Sequence, residues 1–225
     1  MSAQLGAEGY NIGRYKARNL MRKAGVSYTY KKKFKPTTDS NHNLPLAKNL
    51  LNRKFNVDQP NTTWCADISY LWTNEGWLYL AVVIDPYSRK VIGWSMQSRI
   101  KKELVLNALL MAVWRRKPTN LVTVHSDQGS QYTSHDWQAF LDANNLQTSM
   151  SRRGNCHDNA VAESFFQLLK REQIKRHIYS TRDDARGDVV GYIEMFYNSK
   201  RRHGFNEMLS PVEYEKQFTE RLVGV

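Results

Sequence analysis

The chain has 225 residues, 41% of them hydrophobic, enough for one catalytic domain with a small appendage, so disorder is not the default reading. Its longest apolar run, Trp77 to Ile84, falls far short of the roughly 20 residues of a membrane helix, no charged-then-apolar leader opens the chain, and its two cysteines, Cys65 and Cys156, lack CxxC or paired-His spacing; a soluble intracellular protein without disulfide scaffold or zinc knuckle is expected. The net charge of +12 suggests a polyanionic partner, and residues 1–60 carry most of it, with 12 Lys and Arg against 3 Asp and Glu.

Residues 1–11 have no periodicity and are expected to fray. From Gly13 to Ala24, Tyr15, Ala17, Leu20 and Met21 make a rough helical stripe, Arg14, Lys16, Arg18, Arg22 and Lys23 cover the rest, and Gly25 is a stop signal. Residues 27–60, with Lys31-Lys32-Lys33, Pro36, Pro45 and Pro60, read as a basic linker with at most one short helix around Leu46 to Leu51. Three strand-like runs follow, Thr63 to Trp72, Trp77 to Asp85 and Lys90 to Gln97, separated by turn signals at Asn74-Glu75-Gly76 and Asp85-Pro86-Tyr87-Ser88. Glu103 to Arg116 reads as a helix, Leu121 to His125 as a strand, Ser134 to Asn145 as a helix capped by Ser134, and Gln147 to Met150 as a strand. A loop, 151–155, leads to a helix from Asn159 to Arg171; further helices are expected from Asp183 to Tyr197 and from Ser210, with Pro211 at N1, to about Phe218. Strands followed by strand–helix alternation predict an α/β fold, a mixed five-stranded sheet flanked by helices. The expected domains are a basic helical segment at 1–26, the linker at 27–60, a catalytic core at 61–175 and a helical extension at 176–225.

Three carboxylates have distinctive settings. Asp67 interrupts the aromatic strand TWCADISYLW, where an unpaired buried charge would cost several kcal/mol. Asp127 follows the strand LVTVH, at the strand end where ligand sites gather in α/β sheets. Glu163, thirty-six positions further on, shares a helix face with Asn159 and Lys170, opposite Val161, Phe165 and Leu168, at about 100° per residue. The spacing alone carries little weight, and a solvated helix face is the plain alternative for Glu163. A strand-borne Asp, a strand-end Asp and a helix-borne Glu can hold two divalent ions against a phosphodiester, and Mg²⁺ needs only hard oxygen ligands. Asp85 before Pro86 is more simply a turn former, and His125 a hydrogen-bonded strand-end residue. Arg152 and Arg153 are expected on phosphate. The six Trp, including Trp64, Trp72, Trp77 and Trp94, are expected in strands as core.

The segments TWCADISYLW, YLAVVIDPYSRKVIGW, VHSDQGSQYTS, SMSRRGNCHDNAVAESFFQLLK and YNSKRRHG with a following SPVEY resemble the second-reading-frame product of IS-three-type bacterial insertion sequences, which has a retroviral-integrase-like core. The resemblance runs from about Asn11 to Tyr214. It implies an RNase H-like fold and a DDE triad at Asp67, Asp127 and Glu163 working with two Mg²⁺ or Mn²⁺ ions. Lys170 resembles the basic residue that contacts the DNA end, and Tyr197-Asn198 and Arg201-Arg202-His203 the C-terminal signature, whose role is backbone contact or packing. Asn11 to Val26 resembles only the last helix of the family's helix-turn-helix-like start. DNA contacts are expected from Asn159, Lys170, Arg152, Arg153, Arg14, Lys16, Arg18, Arg201 and Arg202. The implied function is DNA cleavage at element ends, freeing a 3′-OH that attacks another phosphodiester, with the ends joined into a circular intermediate. Implied partners are terminal inverted repeats, target duplex, further copies of the chain on paired ends and an upstream-frame product, in the bacterial cytoplasm and nucleoid. A catalytically silent DNA-binding regulator and a free-standing RNase H-type nuclease are the alternatives; a strand-transfer assay on end-bearing DNA discriminates the first, and hydrolysis of RNA–DNA hybrid without strand transfer would favour the second.

Overall fold

The computed structural model describes residues 1–26, 46–53, 55–152 and 156–224, and the chain divides into two compact units, 1–37 and 38–225. Lys31-Lys32-Lys33, Pro36 and Pro45 of the expected linker lie outside the described residues.

In the first unit, residues expected to fray form a short helix, α1 (Ser2–Ala7), which the Ser2 hydroxyl ties to the Ile12 carbonyl at 2.6 Å. The basic helix α2 (Arg14–Lys23) stops as the sequence requires. Gly25 takes φ +68°, its N–H donates to the Arg22 carbonyl and that of Val26 to the Met21 carbonyl, a Schellman closure that satisfies two carbonyls of the last turn. Of the expected stripe only Ala17 is buried, while Tyr15 and Leu20 stay exposed.

The second unit is built on one sheet of five strands: β1 (Thr63–Thr73), β2 (Gly76–Asp85), β3 (Lys90–Gln97), β4 (Val122–Ser126) and β5 (Leu146–Met150), in the order β3-β2-β1-β4-β5. The first three pair antiparallel through short turns; β4 pairs parallel with β1 at Thr63, Trp64 and Cys65 only, so β1 runs on without β4 from Ala66. Leu46 to Leu51 is not helical. That segment lies along β5 instead, where the Leu50 N–H donates to Ser149 Oγ at 2.9 Å.

Helices α3 (Lys102–Arg116) and α4 (His135–Asp142) cover one sheet face; α5 (Ala160–Glu172), α6 (Arg182–Val190) and a π-helical continuation, Gly191–Tyr197, cover the other. Period two assigns the side chains: Leu78, Leu80, Val82 and Ile84 meet Phe165, Phe166, Leu169 and Ile193, while Ala81 and Val83 meet Leu104, Ala108, Leu109 and Trp137. A strand covered on both faces reads as a continuous apolar run, which is why WLYLAVVI looks as it does. A further helix, α7 (Pro211–Val223), starts in a reciprocal cap between Ser210 and Glu213 and runs past the expected end at Phe218.

The Trp expectation is corrected in part. Trp64 and Trp137 are buried, but Trp72, Trp77 and Trp114 are 57%, 43% and 73% exposed, and Trp114 and Trp137 belong to helices. Trp72 and Trp77 pack edge to face at the sheet tip, with 4.8 Å between ring centroids.

The C-terminal signature braces the sheet. Asn198 accepts from the Val91 N–H and donates to the Val91 carbonyl, both at 2.9 Å, filling the outer edge of β3 with a side-chain amide. Glu215 takes Lys90, Arg116 and the Ser88 hydroxyl, and Asn206 donates to the Ser88 carbonyl at 2.6 Å, so α7 and the loop before it clamp the β2–β3 turn.

Candidate active site

Asp67 projects from β1 just where β4 leaves it, half-buried, with Oδ1 accepting its neighbour's N–H, Ile68, at 2.8 Å. Asp127 follows the last residue of β4, and its Oδ1 takes the Gly129 N–H at 3.0 Å. A Cβ at Gly129 would stand 3.0 Å from that same oxygen, so glycine leaves the carboxylate room. Glu163 sits in the first turn of α5, half-buried, while Val161, Ala162, Phe165, Phe166 and Leu169 face the core.

These three positions act on one another. The Asp67 carboxyl is held well above the usual carboxylate range, first by burial and then by the charge of Asp127; the Ile68 N–H opposes this, Glu163 adds to it, and Lys170 pulls the other way. Like charges brought together without a cation raise one another's proton affinity. Among the described residues no group of three or more His, Cys, Asp or Glu side chains is drawn together closely enough to hold a metal ion outright. The donor types still suit a hard divalent cation: the charges of Asp127 and Glu163 both reach the Asp67 carboxyl, and the nearby Cys65 thiol is pushed up to about 12 by burial and so is not a competing thiolate.

A sign follows for stability. Because folding raises the Asp67 pKa, the protonated form stabilises the metal-free fold below the ordinary carboxylate pKa of about 3.9, and that contribution is lost as pH rises through the raised value. Asp67→Asn is therefore expected to melt higher than the wild type at neutral pH without metal, with the difference closing toward pH 4. Added Mg²⁺ should raise the wild-type midpoint and leave the variant's unmoved; the reverse pattern in a thermal melt would contradict the fit.

Lys170 lies near Asp67 and holds its ammonium over the Tyr70 ring, 5.0 Å from the centroid, at the stretch of β1 that has no β4 beside it. Asn159 is buried and donates from Nδ2 to the Ala66 carbonyl at 3.3 Å, tying the start of α5 to the residue before Asp67. Arg152 places two of its side-chain nitrogens and its N–H on Asp158, which also takes Arg53 and Asn49; Arg152 first and then Arg53 hold that carboxyl well below the usual range, and Asp158 ties these residues together without capping α5. Arg153 lies outside the described residues. Arg201 makes a two-nitrogen pair with Glu172, and Arg202 donates to the Met208 carbonyl at 3.2 Å. Arg14, Lys16 and Arg18 are exposed on α2. Asp85 accepts the Asn61 and Tyr87 N–H groups and His125 bonds Ser149 through Nδ1, both structural, as the sequence suggests. Sequence reasoning missed Tyr132: its buried hydroxyl has no hydrogen-bond partner among the described residues, and the charges of Asp127 and Asp67 add to burial in raising its pKa. Its only sequence signal is a position five residues after Asp127.

A mixed sheet in the order β3-β2-β1-β4-β5 with helices on both faces is the RNase H-like fold of integrase catalytic cores. Integrase core domain models match residues 57–156 and 163–218. The HTLV-2 integrase catalytic core, solved with magnesium, superposes with a TM-score of 0.55 at 15% identity over 70% of this chain and 98% of that one. Transposase InsF for insertion sequence IS3A of Escherichia coli is 45% identical over 217 residues, 96% of this chain and 75% of the relative. A 31 kDa protein of insertion element IS600 from Shigella sonnei is 40% identical over 97% of this chain and 80% of its own. The chain belongs to the IS-three-type insertion-sequence transposases, DNA transposases with an integrase core. Among the described residues no helix is long and apolar enough to cross a membrane.

Proposed function

We propose that Asp67, Asp127 and Glu163 are the catalytic acids of this transposase and that they hold two Mg²⁺ or Mn²⁺ ions. The observation that carries this is the electrostatic influence on Asp67, within β1, of an acid just past the end of β4 and one on α5, far apart in sequence. The magnesium present with the HTLV-2 core supports the choice of ion. Such a metal pair, when bound, supplies activation of the attacking oxygen and neutralisation of the leaving one.

The chain's own groups do the rest. The Ile68 and Gly129 N–H groups fix one oxygen each of Asp67 and Asp127, so the carboxylates keep their orientation. Lys170 offers an ammonium beside Asp67 to a phosphate of the DNA end. Asn159, through Ala66, holds the helix of Glu163 against the strand of Asp67, a positioning role. The alternative for Arg152 and Arg201 is structural, and their ion pairs with Asp158 and Glu172 support it. Arg14, Lys16 and Arg18, with the basic linker at 27–60, form a DNA-recognition arm ahead of a core at 61–175, and 176–225 braces that core.

Cleavage at an element end frees a 3′-OH that attacks a second phosphodiester. Two terminal repeats must be held together for this, which requires at least two copies of the chain on DNA, with the upstream-frame product as a further partner, in the cytoplasm at the nucleoid. The test is strand transfer on end-bearing duplex with Mg²⁺ or Mn²⁺, alongside binding across a salt series. Metal-dependent joined product and steeply salt-weakened binding are expected. Binding without joining would favour the silent regulator, and hydrolysis of RNA–DNA hybrid without joining the nuclease.

A further inference from the structure

Beside α5, along Val161, Ser164 and Leu168 and so turned away from Glu163, lies a cavity of about 780 Å³ whose lining includes Arg53, Arg89, Tyr197, Arg201 and His203. Two of these cations arrive neutralised, Arg53 on Asp158 at 2.9 Å and Arg201 on Glu172 at 2.7 Å. Arg89 does not. Its neighbours Ser88 and Lys90 are bound to Glu215, but its own guanidinium lies half-buried over the Phe205 ring, 3.9 Å from the centroid, near Cys65 and Tyr197, with no carboxylate partner among the described residues. An aromatic face offsets only part of what a guanidinium loses on leaving water.

Two further features point the same way. Arg89 stands at φ +64°, a left-handed conformation uncommon outside glycine, and local strain of this kind gathers at ligand sites. His203, only 8% exposed, has no hydrogen-bond partner for Nε2 among the described residues, and burial with the charges of Arg201 and Arg89 lowers its pKa to about 4, so the imidazole is neutral. The cavity therefore offers one half-buried positive charge without a carboxylate partner and one buried ring nitrogen without a hydrogen-bond partner among the described residues. A tetrahedral oxyanion meets both, because its oxygens accept from the fork of a guanidinium and from an imidazole N–H together.

We propose that this cavity is a phosphate-binding site, with Arg89 supplying the charge and His203 the second donor, filled either by a DNA backbone phosphate or by free phosphate. Since Glu163 does not line it and its α5 wall is turned away from that residue, it anchors a phosphate other than the one attacked, and it stands whether or not the three acids are correctly assigned.

The experiment uses the full chain. Thermal melts in inorganic phosphate, against chloride at matched ionic strength, should show a phosphate-specific rise in the wild type that Arg89→Gln loses and Arg89→Lys partly keeps. The His203 ring signals in NMR should shift on adding phosphate to the wild type, a reading that does not depend on any variant folding. Duplex binding across a salt series assigns the source: a slope shallower by about 0.9 in Arg89→Gln marks a backbone phosphate, and an unchanged slope with the phosphate response intact in the wild type marks free phosphate. No phosphate-specific rise, no His203 shift and an unchanged slope would overturn the proposal.

Discussion

Glu163→Gln is expected to lose metal-dependent strand transfer by about a thousandfold or more, the scale on which single essential groups act, while binding end-bearing duplex within about twofold of the wild type. The substitution keeps the size and hydrogen-bonding reach of the side chain and removes only its charge. Glu163 makes no contribution to the apolar face of α5, where Val161, Phe165, Phe166 and Leu169 do the packing, so the fold should survive. Removing this charge also takes away one of the groups that raise the Asp67 pKa, so the metal-free variant should melt slightly higher than the wild type. Joined product from Glu163→Gln at wild-type rate would remove this residue from the catalytic set.

The largest effect on stability is expected from Gly93→Ala. At this point of β3 the α3 backbone passes so close that an added Cβ would lie 2.8 Å from the Ala112 nitrogen and nearer still to the Ala108 carbonyl oxygen. Both neighbours are main chain in a helix packed by Leu104, Leu109 and Ala112, so neither can swing aside as a flexible side chain would. The strand must part from the helix, at a cost of about 3 kcal/mol or more, a large share of the roughly 5–15 kcal/mol that holds a domain folded. A urea midpoint unchanged from the wild type would mean that α3 does not sit this close to β3.

Much of this fold was legible because its signals are local. The run WLYLAVVI, the turn at Asn74-Glu75-Gly76, the Ser134 and Ser210 caps and the Gly25 stop each act within a few residues. What was not legible depends on contacts that only the folded chain makes. Arg152 and Arg201 look like free cations in a linear reading, and only the folded chain brings Asp158 and Glu172 to them. Trp72 and Trp77 sit in a strand pattern like that of Trp64, but they lie at the sheet tip and stay exposed, and alternation alone does not say where a covering helix ends. Asn159 does share the helix side that the periodicity gives it, yet its amide turns to the Ala66 carbonyl. The three acids could be singled out by setting and by resemblance, whereas their mutual repulsion and the buried Tyr132 beside them required coordinates.

The central claim is that Asp67, Asp127 and Glu163 hold the reactive metal together. Loading the protein with Fe²⁺ in place of Mg²⁺ and mapping where peroxide-driven radicals cut the backbone tests it most directly. Three clusters of cuts, around Asp67, around Asp127 and at the start of α5 near Glu163, all suppressed by excess Mg²⁺ and all lost in Asp67→Asn, are the predicted result. Cuts confined to one of these segments, or falling elsewhere and persisting in Asp67→Asn, would contradict it.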